Sequence, residues 1–470
     1  MVKIDKLFFA AFAAFAFAAC SISDVQPEQP ETAPAEWTVS IEATKGVESP
    51  VTKALSESGN TITASWEEGD VVYILSKNGS KEFGQLTAQS SGATTKLLGT
   101  VTGTMTVGNT YILRYLQKGQ DYLYLPSQKG TLEDIAKNHD MAEALVTVKS
   151  IDDGNVTFVE DVAVFESKIS ITKFTFSKSV VDVSIFSSNL KTYVRPGYSS
   201  NYSFVQVKPD EGSQTLYAAM SSLEAKKSVF TFLAKGTDGF YYVAAKQVQL
   251  ENGKNYTADV TLTKMPEYVD LGIERDGHAI CFATKNMGAS GPGGVGNFYA
   301  WGETEPKTTY TWDNYPYGSY SWITKYDPDR PDQGVVDGLA ALLEEDDAAT
   351  VNLGPGWRMP NLDEFKDLLN SSLFEMIYGY ADGRWGFLLR SLKDGYTGRF
   401  IFLPRTGYYK EDALTGTNAG YYWSRNIDQQ SWTSSSFANT LQLKYVYSIS
   451  AEWSRMDRAY GLPIRAVFVD

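Results

Sequence analysis

Two cysteines and two histidines are all that 470 residues contain of either. Cys20 falls at the end of what reads as an export signal, so Cys281 alone remains in the body of the chain and no intramolecular disulfide framework can form. Stability therefore has to come from hydrophobic cores. His139 and His278 are the whole supply of imidazole, and neither stands beside a recognisable nucleophile motif, which weakens any Ser-His-Asp or Cys-His mechanism. Two histidines and a cysteine at no ligand-like spacing also make a poor zinc site. Cys281, between Ile280 and Phe282, reads as a small buried apolar residue. Positive charge is scarce as well: 42 Lys and Arg face 56 Asp and Glu, for a formal net charge of −14. Nucleic acid or an anionic membrane surface would call for a basic patch, so neither is expected as a partner.

What is present begins at the N-terminus. Lys3 and Lys6 precede an apolar run, Leu7 to Ala19, built only from Leu, Phe and Ala. That run suits a signal peptide and is short for a membrane span. Phe17-Ala18-Ala19-Cys20 ends it with small residues before a cysteine. This resembles the lipobox of bacterial lipoproteins, which implies cleavage after residue 19 and lipid attachment at Cys20. The following SISDVQPEQPETAPAE cannot bury a core and reads as a flexible tether over 20–37. Its early Ser and Asp resemble the surface-export signal of Bacteroidetes lipoproteins, implying a lipid-anchored place on the outer membrane, displayed outward.

From Trp37 to about Lys264 the chain runs in short alternating segments rich in Val, Ile, Thr and Tyr, punctuated by Lys-Asn-Gly-Ser at 77–80 and Asp-Asp-Gly-Asn at 152–155. This is hairpin texture and predicts sandwiches. Only 131–145 reads as helical. The segments TKALSESGNTITASWEEGDVVYIL at 52–75, YLPSQKGT at 124–131 and GKNYTADVTLTK at 253–264 resemble, in order, the fimbrillin-like proteins of Bacteroidetes. The resemblance implies two β-sandwiches in series, 38–160 and 161–265. Fimbrillins that polymerise are trimmed at an arginine near the N-terminus, whereas the first arginine after Cys20 here is Arg114. That departure suits an anchor, a tip subunit or a stand-alone surface protein better than a shaft subunit.

At Glu267 the composition changes: eight of the ten tryptophans lie beyond it, among many Gly and Tyr. Seven segments, among them NFYAWGETEPKTTYTW at 297–312, GWRMPNLDEFKDLL at 356–369, GYYWSRN at 420–426 and GLPIRAV at 461–467, resemble the Fibrobacter major paralogous domain. That resemblance covers 266–470 and implies a C-type-lectin-like fold. The expected whole is mainly β with an α+β C-terminal domain: tandem fimbrillin-like β-sandwiches followed by a C-type-lectin-like domain. Locally, Pro360 and Asn361 can start and cap a helix carrying Leu362, Phe365, Leu368 and Leu369 on one face. The formylglycine-generating relatives of that fold work with a cysteine pair, and this domain has only Cys281, so no activity comes with the resemblance.

Candidate site residues follow from residue type. Trp312, Tyr315, Tyr317, Tyr320 and Trp322 fall in a loop-like stretch that can offer ring faces to a sugar or a protein. Asp327, Asp329 and Asp332, followed by Glu344 to Asp347, are oxygen donors of the kind Ca²⁺ takes, although Asp332 stands where an EF-hand needs glycine. Gly291 to Gly296 matches the dinucleotide-binding glycine spacing, but the strand-like Asn-Phe-Tyr-Ala-Trp after it, in place of a helix, makes it a loop. Carboxylates are plentiful, yet no pair is singled out for glycoside hydrolysis. The sequence thus points to a binding protein without catalytic residues: an adhesin-like surface lipoprotein taking a glycan or protein ligand through its C-terminal domain. A fimbrial anchor or tip subunit partnered by another fimbrial subunit is the alternative, and a glycan-active enzyme a more distant one.

Overall fold

Asp-Gly pairs set three of the hairpins of this chain. Asp153-Gly154, Asp276-Gly277 and Asp382-Gly383 each place two successive residues at positive φ (47° and 76°, 54° and 84°, 47° and 80°). Two left-handed residues in a row define the tight turn whose twist matches antiparallel strands. A computed structural model of the protein describes residues 36–45, 54–58, 61–116, 123–194, 202–429 and 435–470. The signal peptide, Cys20 and nearly all of the tether lie outside the described residues. The fold is mainly β.

The first sheet is a closed ring. Strands β1 (Glu36–Lys45), β2 (Val71–Ser76), β3 (Glu82–Ala88), β4 (Thr94–Thr102), β5 (Thr110–Leu116), β6 (Met141–Asp152) and β7 (Val162–Ser167) pair in the order β1-β7-β6-β5-β2-β3-β4, and β4 returns to β1. All these pairs are antiparallel except β1–β7, where Lys45 lies opposite Phe165. Inward positions recur at every second residue, as along Val39, Ile41 and Ala43 of β1, and fill the interior with Val72, Ile74, Leu86, Leu113 and Phe165. Trp66 stands edge-on to Tyr115 and Phe165 there.

The expected helix over 131–145 is half helix and half strand. Helix α1 (Leu132–Asn138) is capped by Thr131, whose hydroxyl accepts from the Asp134 N–H, and it stops at His139. From Met141 the chain is β6, with Met141 through Thr147 laddered onto β5. Val146 and Val148 are buried at strand spacing, so pairing with a waiting sheet edge overrides the local helical pattern. Asp134 fixes the junction: its carboxylate accepts from the Lys129 N–H at 2.7 Å and Asn138 Nδ2 at 2.7 Å, with His139 Nε2 at 3.3 Å. Burial pushes its pKa up, but these donors outweigh burial and hold it at about 2. A depressed acid contributes stability above its ordinary value of 3.8, and that contribution disappears as pH falls through about 2. We expect Asp134→Asn to remove this component from an acid-unfolding curve followed by circular dichroism; an unchanged acid limb would show that the junction does not depend on the charge.

A second β-rich layer is organised by one long strand, β8 (Ser170–Phe186). Its first half pairs with β10 (Ser213–Met220) and, in parallel, with β13 (Asn255–Val260). Its second half pairs with β9 (Phe204–Val207) and β11 (Lys227–Gly236), and β12 (Tyr241–Gln249) follows β11. Register shifts between Thr175 and Asp182 let one strand serve both halves.

Beyond residue 266 the sheets are smaller. Strands β14 (Tyr268–Arg275) and β15 (His278–Ala283) form a hairpin, and β22 (Val467–Val469) lies between β15 and Trp357–Arg358. Strands β16 (Phe374–Ala381), β17 (Arg384–Ser391) and β18 (Phe400–Pro404) form a second sheet, and β19 (Ala419–Ile427), β20 (Phe437–Tyr445) and β21 (Ile449–Asp457) a third. Helices α2 (Ala348–Leu353) and α3 (Leu362–Leu368) complete this α+β part. Phe186, Phe204 and Leu233 from the second layer share one apolar cluster with Ile377, Leu388, Phe400 and Phe402.

Candidate ligand-binding groove

Helix α3 forms where the sequence places it. Asn361 is its N-cap and closes a capping box with Glu364, whose Oε2 accepts the Asn361 N–H at 2.7 Å. Fully buried Glu364 also takes both terminal nitrogens of Arg358, and the Leu362 N–H donates to Asn426 Oδ1 at 2.9 Å. The start of the helix is thereby tied to both the strand before it and the end of β19.

Between α3, the β14–β15 turn and the β19–β20–β21 sheet lies an open groove of about 850 Å³. Arg275, His278, Arg358, Asn361, Lys366, Asp428, Asn439 and Trp453 are among its lining residues. Trp453, on β21 opposite Leu441, is 41% exposed, and Lys366 Nζ stands 5.8 Å from the centre of its ring. Lys366 also donates to Asp363, which holds that carboxyl below its usual value. Arg275 is paired with Asp367, and Arg455 with buried Asp428 at 3.4 Å. Asn439 donates to the Ile427 carbonyl at 2.8 Å, while its buried Oδ1 has no donor. A partly exposed indole among amide, carboxylate and guanidinium groups is suited to a ligand with apolar ring faces and hydroxyl edges.

The sequence-predicted aromatics divide between core and surface. Tyr315 is buried and donates to the Trp301 carbonyl at 2.7 Å, and Tyr317 is half-buried and donates to Asp346 Oδ1 at 2.7 Å. Trp312 Nε1 donates to Asp457. Tyr320 and Trp322 are 53% and 48% exposed. Tyr320 meets Phe437 edge-on, Phe437 lies under the Arg455 guanidinium, and Arg455 reaches the groove residue Asp428, so Tyr320 is linked to the groove through two intervening side chains.

The acidic run does not assemble into a cation site. Asp327 is buried, with Oδ1 accepting from Ser435 Oγ and the Arg330 N–H, whereas Asp329 and Asp332 are exposed. Among the described residues no three His, Cys, Asp or Glu side chains are gathered as metal ligands. Asp346 is occupied by Tyr317, Tyr326 and Lys325, and Asp347 caps α2 through the Ala349 and Thr350 N–H groups. Burial pushes the Cys281 thiol up to about 11. The Gly291–Gly296 segment is a loop, pressed so closely on Tyr241 and Asp382 that a Cβ at Gly291 would meet both within 2.6 Å. Trp453, Arg275 and Asn439 were missed: they lie on three separate elements, and only the β20–β21 register and the α3 packing bring them together.

No family model matches the sequence, and no curated protein matches it. Among solved structures, the chain is similar to the tip fimbrial protein Mfa3 from Porphyromonas gingivalis, with 8% identity over 46% of this chain and 83% of that one and a TM-score of 0.27. It is also similar to a candidate cell adhesion protein from Bacteroides uniformis, at 16% identity over 48% of this chain and 96% of that one, TM-score 0.30. A candidate polysaccharide-binding protein from Bacteroides thetaiotaomicron gives 9% identity over 49% and 94%, TM-score 0.28.

Proposed function

We propose that the chain is a surface-displayed, adhesin-like lipoprotein, held to the outer membrane through lipid on Cys20, that binds a glycan in the groove between α3 and β21. In this reading residues 38–160 and 161–265 are a stalk of two sandwiches, and 266–470, the C-type-lectin-like part, is the head. The observation that carries it is Trp453, a partly exposed indole with the Lys366 ammonium over its ring, set in a wall of polar groups whose partners are mostly fixed. Such a wall loses little freedom when a sugar replaces water, which favours binding. No step of bond cleavage is needed for this role.

The test is a glycan array probed with the purified protein, with Trp453→Ala as the comparison. Loss of a stacking ring of this kind costs about tenfold in affinity. Because Trp453 is partly exposed, its thermal midpoint should stay close to that of the parent. Equal retention of parent and variant on every glycan bound would remove the groove from recognition.

A further inference from the structure

The first and last strands of the opening ring lie side by side and run the same way. β1 and β7 pair in parallel from Glu42 opposite Val162 to Lys45 opposite Phe165, and nearer its start β1 sets Thr38 and Val39 in parallel with Asn155 and Val156. On its other edge β1 holds β4 from Glu36 opposite Thr102 to Thr44 opposite Thr94. Parallel pairing puts the point where the chain enters the ring, Glu36, and the point where it leaves, Ser167, at opposite ends. Along the strand axis they are about 35 Å apart at the usual rise of a strand.

The second layer repeats the arrangement. Its entering strand β8 and its strand β13 pair in parallel from Ile171 opposite Asn255 to Phe176 opposite Val260, so the chain comes in at one end of this ladder and runs on past Val260 at the other. Both ends are tied: the Gly253 N–H donates to the Ile169 carbonyl at 2.7 Å, and the Leu262 N–H to Ser177 Oγ at 2.9 Å. Only Lys168 and Ile169 separate β7 from β8, so tension on one layer passes to the next without slack.

We infer that these layers are two mechanical clamps in series, which gives the stalk a force-bearing function. The inference rests on the reading of an N-terminal anchor and a C-terminal ligand, because that load enters at Glu36 and runs toward the head. It pulls β1 past β7 and β8 past β13. In such shear every pair of a ladder is loaded at once and all must fail together, whereas two adjacent ends drawn apart break their pairs one at a time. The unfolding barrier, which sets resistance to forced unfolding, is therefore higher in shear. Lys45 reinforces the first clamp. This last residue of β1 is buried, with Nζ 3.7 Å from the centre of the Trp66 ring, 4.3 Å from that of Tyr115 and 3.8 Å from Asp70 Oδ2. A slip of β1 by two residues toward the tether would carry that amine off these partners and into the apolar row of Val39, Ile41 and Ala43, where an unpaired polar head is costly.

Single-molecule force spectroscopy tests this without ligand or membrane, on the full-length chain with Cys20→Ala and Cys281→Ala so that handles attach only at introduced cysteines. Handles at Glu36→Cys and Lys168→Cys pull the ring in shear. Handles at Glu36→Cys and Thr102→Cys, which face each other, unzip the same strand from β4. In the second layer Lys168→Cys with Thr261→Cys gives shear, and Lys168→Cys with Lys254→Cys gives unzipping. At one pulling rate the shear pairs should rupture at several times the force of the unzipping pairs. A contrast in one layer alone would remove the clamp from the other, and equal forces in both geometries throughout would overturn the inference even if the groove binds its glycan. A groove that binds no glycan would show on the array and leave the force contrast as it stands.

Discussion

Glu364→Ala should lower the stability of the protein by about 3–5 kcal/mol, the cost of breaking a buried ion pair from one side. Glu364 is fully buried, and its two oxygens serve Arg358 and the Asn361 N–H at once. Its loss leaves the Arg358 guanidinium without its carboxylate and uncaps α3 in one step. Glu364→Gln keeps an acceptor for the Asn361 N–H and should cost clearly less. Equilibrium urea unfolding of the two variants separates the charge from the cap. The consequence reaches the groove, because Arg358, Asn361 and Lys366 are part of its lining and take their positions from this helix start. A Glu364→Ala protein that melts with the parent would mean that α3 is held by its apolar face alone, through Phe365 and Leu368.

Helix α3 was readable because every determinant is local: a capping residue, an acidic first turn and apolar residues at helical spacing within nine positions. The strands of the first ring were readable for the same reason, since alternation is a property of each segment by itself. Ring closure was not, because it depends on β1 pairing with β4 on one side and β7 on the other, more than a hundred residues away. The same holds for the groove. Trp453 looks like any tryptophan in a rich stretch until the β20–β21 register places it opposite Leu441 and beside Lys366. The loop aromatics show the reverse failure: composition marks Tyr315 and Tyr317 as candidates equal to Tyr320, and only the hydroxyl partners Trp301 O and Asp346 show which of them are committed inward. Buried Lys45 gave no signal at all, as a lysine at the end of a strand normally ends in water.

Phe402→Ala should cost about 3–5 kcal/mol, in the range for deleting a fully buried aromatic ring. Phe402 is on β18, and its ring lies 6.1 Å from that of Phe186 on β8. The interface around it leaves no slack: a Cβ at Gly379 would come within 2.7 Å of Phe186 and 2.9 Å of Phe204. Arg390 on β17 adds a polar tie, donating to the Val229 carbonyl at 2.7 Å while paired with Glu375. A cavity here removes contacts from the second β-rich layer and from the β16–β18 sheet together, so both should lose stability by a similar amount. Eight of the ten tryptophans lie beyond Glu267, among them Trp385, which meets Phe204 edge-on at 5.4 Å at this junction, so fluorescence reports chiefly on that part of the chain. In urea the expected record is a single transition shifted to lower denaturant by fluorescence and by far-ultraviolet circular dichroism alike. Were the fluorescence transition to move while the circular dichroism transition stayed in place, the two layers would be thermodynamically separate.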